Sequence, residues 1–185
     1  YIHLVRHPYT MVNSLEKYHL DQVLYLEPHD YPARELGELV WLHSHRNIVQ
    51  FLKNIPAHRQ FRLRYEDLVS APERIMDQLC QTLGLPFHEG LLTPYDDLDN
   101  KMMDGIYTDS RSMGDTNLLK QKAINAAKAE QWKQVFKDNF LSDESWDWTE
   151  YFGYVGDAKN GDGKYGDNTF FTPPPIDKVF VNNTN

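Results

Sequence analysis

The first fifteen residues, Tyr-Ile-His-Leu-Val-Arg-His-Pro-Tyr-Thr-Met-Val-Asn-Ser-Leu, constrain this chain more than any other stretch. Residues 1–5 are a short, β-rich apolar run that reads as a buried strand, and Pro8 breaks it at once. Pro8 suits the first position of a helix, where its missing N–H costs nothing. The chain is therefore expected to run strand, sharp turn, helix, with Arg6 at the carboxyl end of the strand. Open parallel sheets bind their ligands at that end. Along a helix starting at Pro8, Ser14 stands ~9 Å from the start at 1.5 Å per residue. Arg6 offers a fork of charge-assisted donors and Ser14 a hydroxyl, a pair suited to holding one phosphate against the first helical turns.

The rest of the chain reads as alternating helix and strand. The first helix is expected over 8–20, and 24–31 reads as a loop. A long helix follows over 33–54 and stops at Ile55-Pro56. Leu42, His45, Val49 and Leu52 share one stripe of it at three-to-four spacing, with Trp41 at the edge. Residues 61–65, Phe-Arg-Leu-Arg-Tyr, alternate as a strand does. Ser70 three residues before Glu73 reads as a capping box for a helix whose apolar face is Ile75, Met76, Leu79, Cys80 and Leu83, stopped by Gly84 and Pro86. Residues 93–118 lack periodicity, and a loop of that length in a compact domain is usually functional or disordered. Helix resumes over 121–140, with Ala129, Trp132, Phe136 and Phe140 as its docking face. A cluster of aromatic residues follows at 146–154. The chain divides into a domain over 1–152 and a Gly/Asp/Pro-rich extension or linker over 153–185.

Bulk properties narrow the functions open to it. A chain of 185 residues supports one domain with a substantial core. The net charge of −8 argues against a broad nucleic-acid or anionic-membrane surface, so any basic site must be local. Cys80 is the only cysteine, which fits a reducing compartment and a cytoplasmic location. No apolar run approaches the ~20 residues of a membrane span. The chain has no initiator Met and opens inside a strand, as a piece of a longer protein would.

The pattern of Arg6 and Pro8 after a strand, with Ser14 eight residues past the arginine, resembles the sulfotransferase family. There, those positions hold the 3′-phosphate of the sulfate donor, 3′-phosphoadenosine 5′-phosphosulfate (PAPS). The block Arg64-Tyr65-Glu66-Asp67-Leu68 with Pro72 resembles a second family segment, whose tyrosine packs on the donor's adenine, so the resemblance gives Tyr65 that role. Residues 101–107 and 111–115 resemble the stretch that closes over donor and acceptor in sulfotransferases fused to modular polyketide synthases. The resemblance makes Arg111 a further 3′-phosphate ligand, with Lys120 as its substitute. It covers about residues 1–140. It implies an α/β fold, a parallel sheet flanked by helices and related to P-loop nucleotide kinases, with the N-terminal strand–loop–helix missing. It also implies PAPS as co-substrate and no metal.

Sulfuryl transfer moves a highly charged group between oxygens. The protein must position the donor, stabilise charge and remove the acceptor's proton. The expected general base is His45, followed by His43 and then His7. The Lys- and Ser/Thr-rich loop that grips the 5′-phosphosulfate in the family does not occur in residues 1–185, so the isolated piece is expected to be inactive. The acceptor implied by the 101–115 segment is a hydroxyl on a polyketide-type acyl chain, small or carrier-bound, with neighbouring domains of a longer chain as partners. The alternative from another class is a non-catalytic module that keeps only the 3′-phosphate pocket. A nucleotide kinase would require a Gly-x4-Gly-Lys-Ser/Thr motif upstream.

Overall fold

The structure, a computed structural model, describes residues 1–18, 30–96, 121–135, 138–155 and 164–165. In chain order the elements are β1 (Ile2–Val5), α1 (Pro8–Tyr18), α2 (Ala33–Leu52), β2 (Phe61–Arg64), α3 (Tyr65–Ser70), α4 (Pro72–Leu83), α5 (Trp132–Val135), α6 (Asp143–Tyr151), β3 (Tyr154–Val155) and β4 (Lys164–Tyr165). β1 and β2 pair in parallel, and α1 and α2 lie between them in sequence. Parallel strands need such a crossover, and the result is the expected α/β architecture. The chain separates into two compact units, residues 1–4 with 52–130, and residues 5–51 with 131–185.

In the first unit, His3 of β1 is buried while Ile2 and Leu4 are exposed, the two-residue alternation of a strand. The Phe61 N–H donates to the Tyr1 carbonyl at 2.9 Å and so sets the start of the strand pairing. β2 passes directly into α3, so Tyr65 opens a helix and does not end the strand. α3 packs on α4 and on a 3₁₀ turn over Ala126–Glu130. Leu63, Val69, Ile75, Cys80 and Ala129 are buried here.

The start of α4 departs from expectation. Ser70 belongs to α3, Ala71 is the cap, and no side chain bonds there. The Ala71 N–H is already given to the Asp67 carbonyl at 2.9 Å, so abutting helices replace the capping box. Leu83 is also exposed, which leaves Ile75 and Cys80 as the buried positions of that face. The helix ends as foreseen, on Gly84 in the left-handed region at φ 68°.

In the second unit, α2 turns Leu42, His45 and Val49 inward, and Trp41 is fully buried beside them. Val5, Trp41, Leu42, Val49, Trp148, Phe152 and Tyr154 form one apolar cluster. Tyr9, Trp132, Leu141 and Trp146 form another. The core thus runs through Tyr154, whose strand pairs antiparallel with β4, Tyr154 facing Tyr165 and Val155 facing Lys164. α1 lies close on α2. A Cβ added at Gly37 would stand 3.3 Å from both Cα and Cγ2 of Val12.

No continuous helix forms over 121–140. The chain makes the 3₁₀ turn and the single turn of α5 there. Asn125 starts the tighter winding: its carbonyl accepts from the Lys128 N–H at 3.1 Å and its Oδ1 from the Ala127 N–H at 3.0 Å. Phe136, the 101–115 segment and most of the 153–185 extension lie outside the described residues.

α6 is seated by a carboxylate from α2. Glu38 Oε1 accepts from the Ser142 N–H at 2.7 Å, from Ser142 Oγ at 2.6 Å and from Ser145 Oγ at 2.6 Å. A buried negative charge at a helix N-terminus is favoured by the helix dipole as well as by these bonds. Replacing Glu38 with Ala strands those donors, and urea unfolding should show a stability loss of about 2 kcal/mol.

Candidate functional site

The turn between β1 and α1 is fastened on every side within the second unit. Val5 is buried at the strand's end, and Arg6 is half-buried directly after it. The Arg6 carbonyl lies past the strand and before the helix. It accepts the Trp41 indole N–H at 2.9 Å. His7 caps α1 through its side chain, with Nδ1 accepting from the Tyr9 N–H at 3.2 Å. The His7 carbonyl takes the Thr10 and Met11 N–H groups at 3.1 and 3.3 Å and the Thr10 hydroxyl at 2.8 Å. The first-turn donors of α1 are therefore used internally, and Pro8 has none. An anion at this turn must be held by side chains, not by the bare helix end.

His7 is a packing residue. Its imidazole is fully buried and stacks on Trp132 with centroids 4.0 Å apart and planes 9° from parallel. Burial lowers its pKa to about 3, which keeps the ring neutral and Nδ1 free to accept. A ring so enclosed and so weakly basic does not serve as a proton acceptor for substrate, and His7 is withdrawn from that role.

The same burial has a sign for stability. The unfolded chain protonates His7 near its ordinary value of 6.5, whereas the folded chain resists until about pH 3. Stability from this group is complete above pH 6.5 and is lost progressively as pH falls toward 3. Denaturant unfolding at pH 5 should show about 2 kcal/mol less stability than at pH 7.5, and His7→Gln should flatten that dependence.

Ser14 is half-buried on α1, and its hydroxyl donates to the Thr10 carbonyl at 3.0 Å. A phosphate oxygen would have to take that proton from the carbonyl, so Ser14 contributes an exchanged bond, not a new one. Arg6 and Ser14 belong to the same unit, Arg6 two residues before α1 and Ser14 at its seventh position. The half-buried guanidinium and hydroxyl fit the 3′-phosphate of the implied donor chemically.

His45 is 7% exposed, and two aromatic rings meet it edge-on, Trp41 at 4.9 Å and Phe152 at 5.1 Å. His43, on the same helix, is half-buried. Arg46 beside them pairs with Glu144 at 3.0 Å, tying α2 to α6 a second time.

Tyr65 lies in the other unit, half-buried at the first position of α3. The neighbouring Arg64 is committed to Asp67, with Nε and Nη2 at 2.6 and 3.0 Å from the two carboxylate oxygens. Arg111 and Lys120 lie outside the described residues. Among the described residues, no group of three or more His, Cys, Asp or Glu side chains is placed to hold a metal ion. No described helix is long and apolar enough to cross a membrane.

Sequence reading missed the parts played by Trp41 and Glu38. Trp41 was visible only as the edge of an apolar stripe, since the acceptor of its N–H lies 35 residues earlier. Glu38 carries no local signal, since the serines it binds lie 104 and 107 residues later.

Comparison with known proteins bears on these residues. Residues 1–89, which contain Arg6, Ser14, His45 and Tyr65, match the sequence model of the sulfotransferase family. No curated protein sequence matches significantly. Among solved structures, the chain is similar to a sulfotransferase domain from the curacin biosynthetic pathway, at 34% identity and a TM-score of 0.73 over 84% of this chain and 53% of that one. It is also similar to the sulfotransferase domain of the olefin synthase of Synechococcus PCC 7002, at 32% identity and a TM-score of 0.69 over 84% of this chain and 49% of that one. The chain thus spans about half the length of each solved domain. Residues 1–89 thus resemble the sulfotransferase family in sequence, and the chain has the sulfotransferase fold.

Proposed function

We propose that the protein containing this chain transfers a sulfuryl group from PAPS to a hydroxyl acceptor. In the reaction the acceptor oxygen forms a bond to sulfur, and the bond from sulfur to the bridging phosphate oxygen breaks. Adenosine 3′,5′-bisphosphate leaves, and the acceptor's proton passes to a base. Arg6 and Ser14 hold the 3′-phosphate, Tyr65 packs on the adenine, Arg111 adds a second positive charge, and His45 takes the proton. The observation that carries this reading is the Arg6 turn, a strand–helix junction that places a half-buried arginine just before a helix whose first N–H groups are internally bonded, inside a segment that matches the sulfotransferase family.

Both solved neighbours carry names from biosynthetic assemblies, a curacin pathway and an olefin synthase. Those names favour an acceptor on a polyketide-type acyl chain, presented by neighbouring domains. The deciding experiment is labelled-sulfate transfer from PAPS by the full-length protein to a panel of free and carrier-bound hydroxylated acyl chains. Transfer to members of that panel supports the reading. Binding of adenosine 3′,5′-bisphosphate without transfer to any hydroxylated acceptor would mark a nucleotide-binding module instead.

A further inference from the structure

We infer that Trp41 is a positioning residue for nucleotide binding, acting through the main chain of Arg6; this rests on Arg6 being the 3′-phosphate ligand. The indole is fully buried, and its N–H reaches the Arg6 carbonyl at 2.9 Å. That carbonyl sits between the last residue of β1 and the first of α1, where neither the strand ladder nor the helix accounts for it. Pro8, two residues on, has no N–H with which to close a turn. A buried indole donor has no water to turn to, so the bond fixes the Arg6 peptide relative to α2. The guanidinium swings from that peptide, and its aim depends on it.

The same ring has a second contact of interest. Trp41 meets the His45 imidazole edge-on at 4.9 Å and Phe152 at 6.0 Å. One side chain therefore touches both the peptide that bears the phosphate ligand and the ring proposed as base. A shift of the indole would move both, whereas other core residues such as Val49 carry no polar tie to the turn.

The test is a double-mutant cycle on the full-length protein, with adenosine 3′,5′-bisphosphate affinity read by calorimetry. Trp41→Phe keeps most of the ring and removes the donor. Its affinity is expected to fall ~10-fold when Arg6 is present and less than ~2-fold in an Arg6→Ala background, because neighbours that act as one unit are not additive. Wild-type affinity in Trp41→Phe, or an equal loss in both backgrounds, would overturn the inference while leaving Arg6 as ligand. An Arg6→Ala protein that binds normally would overturn the underlying reading and this inference with it. If Trp41→Phe does not fold, placing 3-benzothienylalanine at position 41, which has the shape of tryptophan without the N–H, gives the same cycle with the same outcomes.

Discussion

Replacing Arg6 with Ala in the full-length protein is expected to weaken adenosine 3′,5′-bisphosphate binding by about 2–3 kcal/mol, ~30- to 150-fold, the usual loss for a charged hydrogen-bond partner. The size follows from what surrounds the turn. His7 uses its ring and its carbonyl to satisfy the first N–H groups of α1, so the helix start offers none of those donors to compensate. Ser14 cannot compensate either, because its hydroxyl already serves the Thr10 carbonyl. Ser14→Ala should accordingly cost less than Arg6→Ala. Arg6→Lys should recover only part of the loss, since an ammonium keeps the charge and gives up the bidentate fork. Calorimetry on the three variants checks the order, and an unchanged affinity in Arg6→Ala would remove Arg6 from the site.

His45→Gln is expected to reduce sulfate transfer by about 100-fold or more while leaving nucleotide affinity within ~2-fold, the signature of a lost general base as opposed to a lost ligand. Glutamine keeps much of the ring's volume, which matters because His45 is packed between Trp41 and Phe152. A thermal melt alongside the assay separates the two roles. Full transfer rate in a stable His45→Gln protein would dismiss His45 as the base, and the half-buried His43 would be tested next.

The parts of the fold that were legible in the sequence are those with long or redundant signals. α2 showed itself through four apolar-stripe positions over three turns, and each of Leu42, His45, Val49 and Leu52 is buried. The end of α4 at Gly84 and the strand–proline–helix start were marked by residues with few other uses. Short patterns did worse. Ser70 and Glu73 have capping-box spacing, but α3 runs into Ala71 and spends the donor first. Residues 121–140 are rich in helix formers, but Asn125 offers the backbone a tighter turn that propensity cannot weigh. In the candidate site, the strand and helix on either side of Arg6, the second carrying Ser14, were readable because their spacing is local. The bonds that hold that junction in place, from Trp41 and through Trp132, come from 35 and 125 residues away and leave no local trace.

A helix start that has used up its own amide hydrogens behaves differently toward mobile ions. A nest of peptide dipoles would grip a phosphate over short range and largely ignore dissolved salt. A half-buried guanidinium works through net charge, and counterions compete for it. Nucleotide affinity should therefore decline steadily as potassium chloride is raised from 50 to about 500 mM, over which the Debye length shrinks from ~14 to ~4 Å.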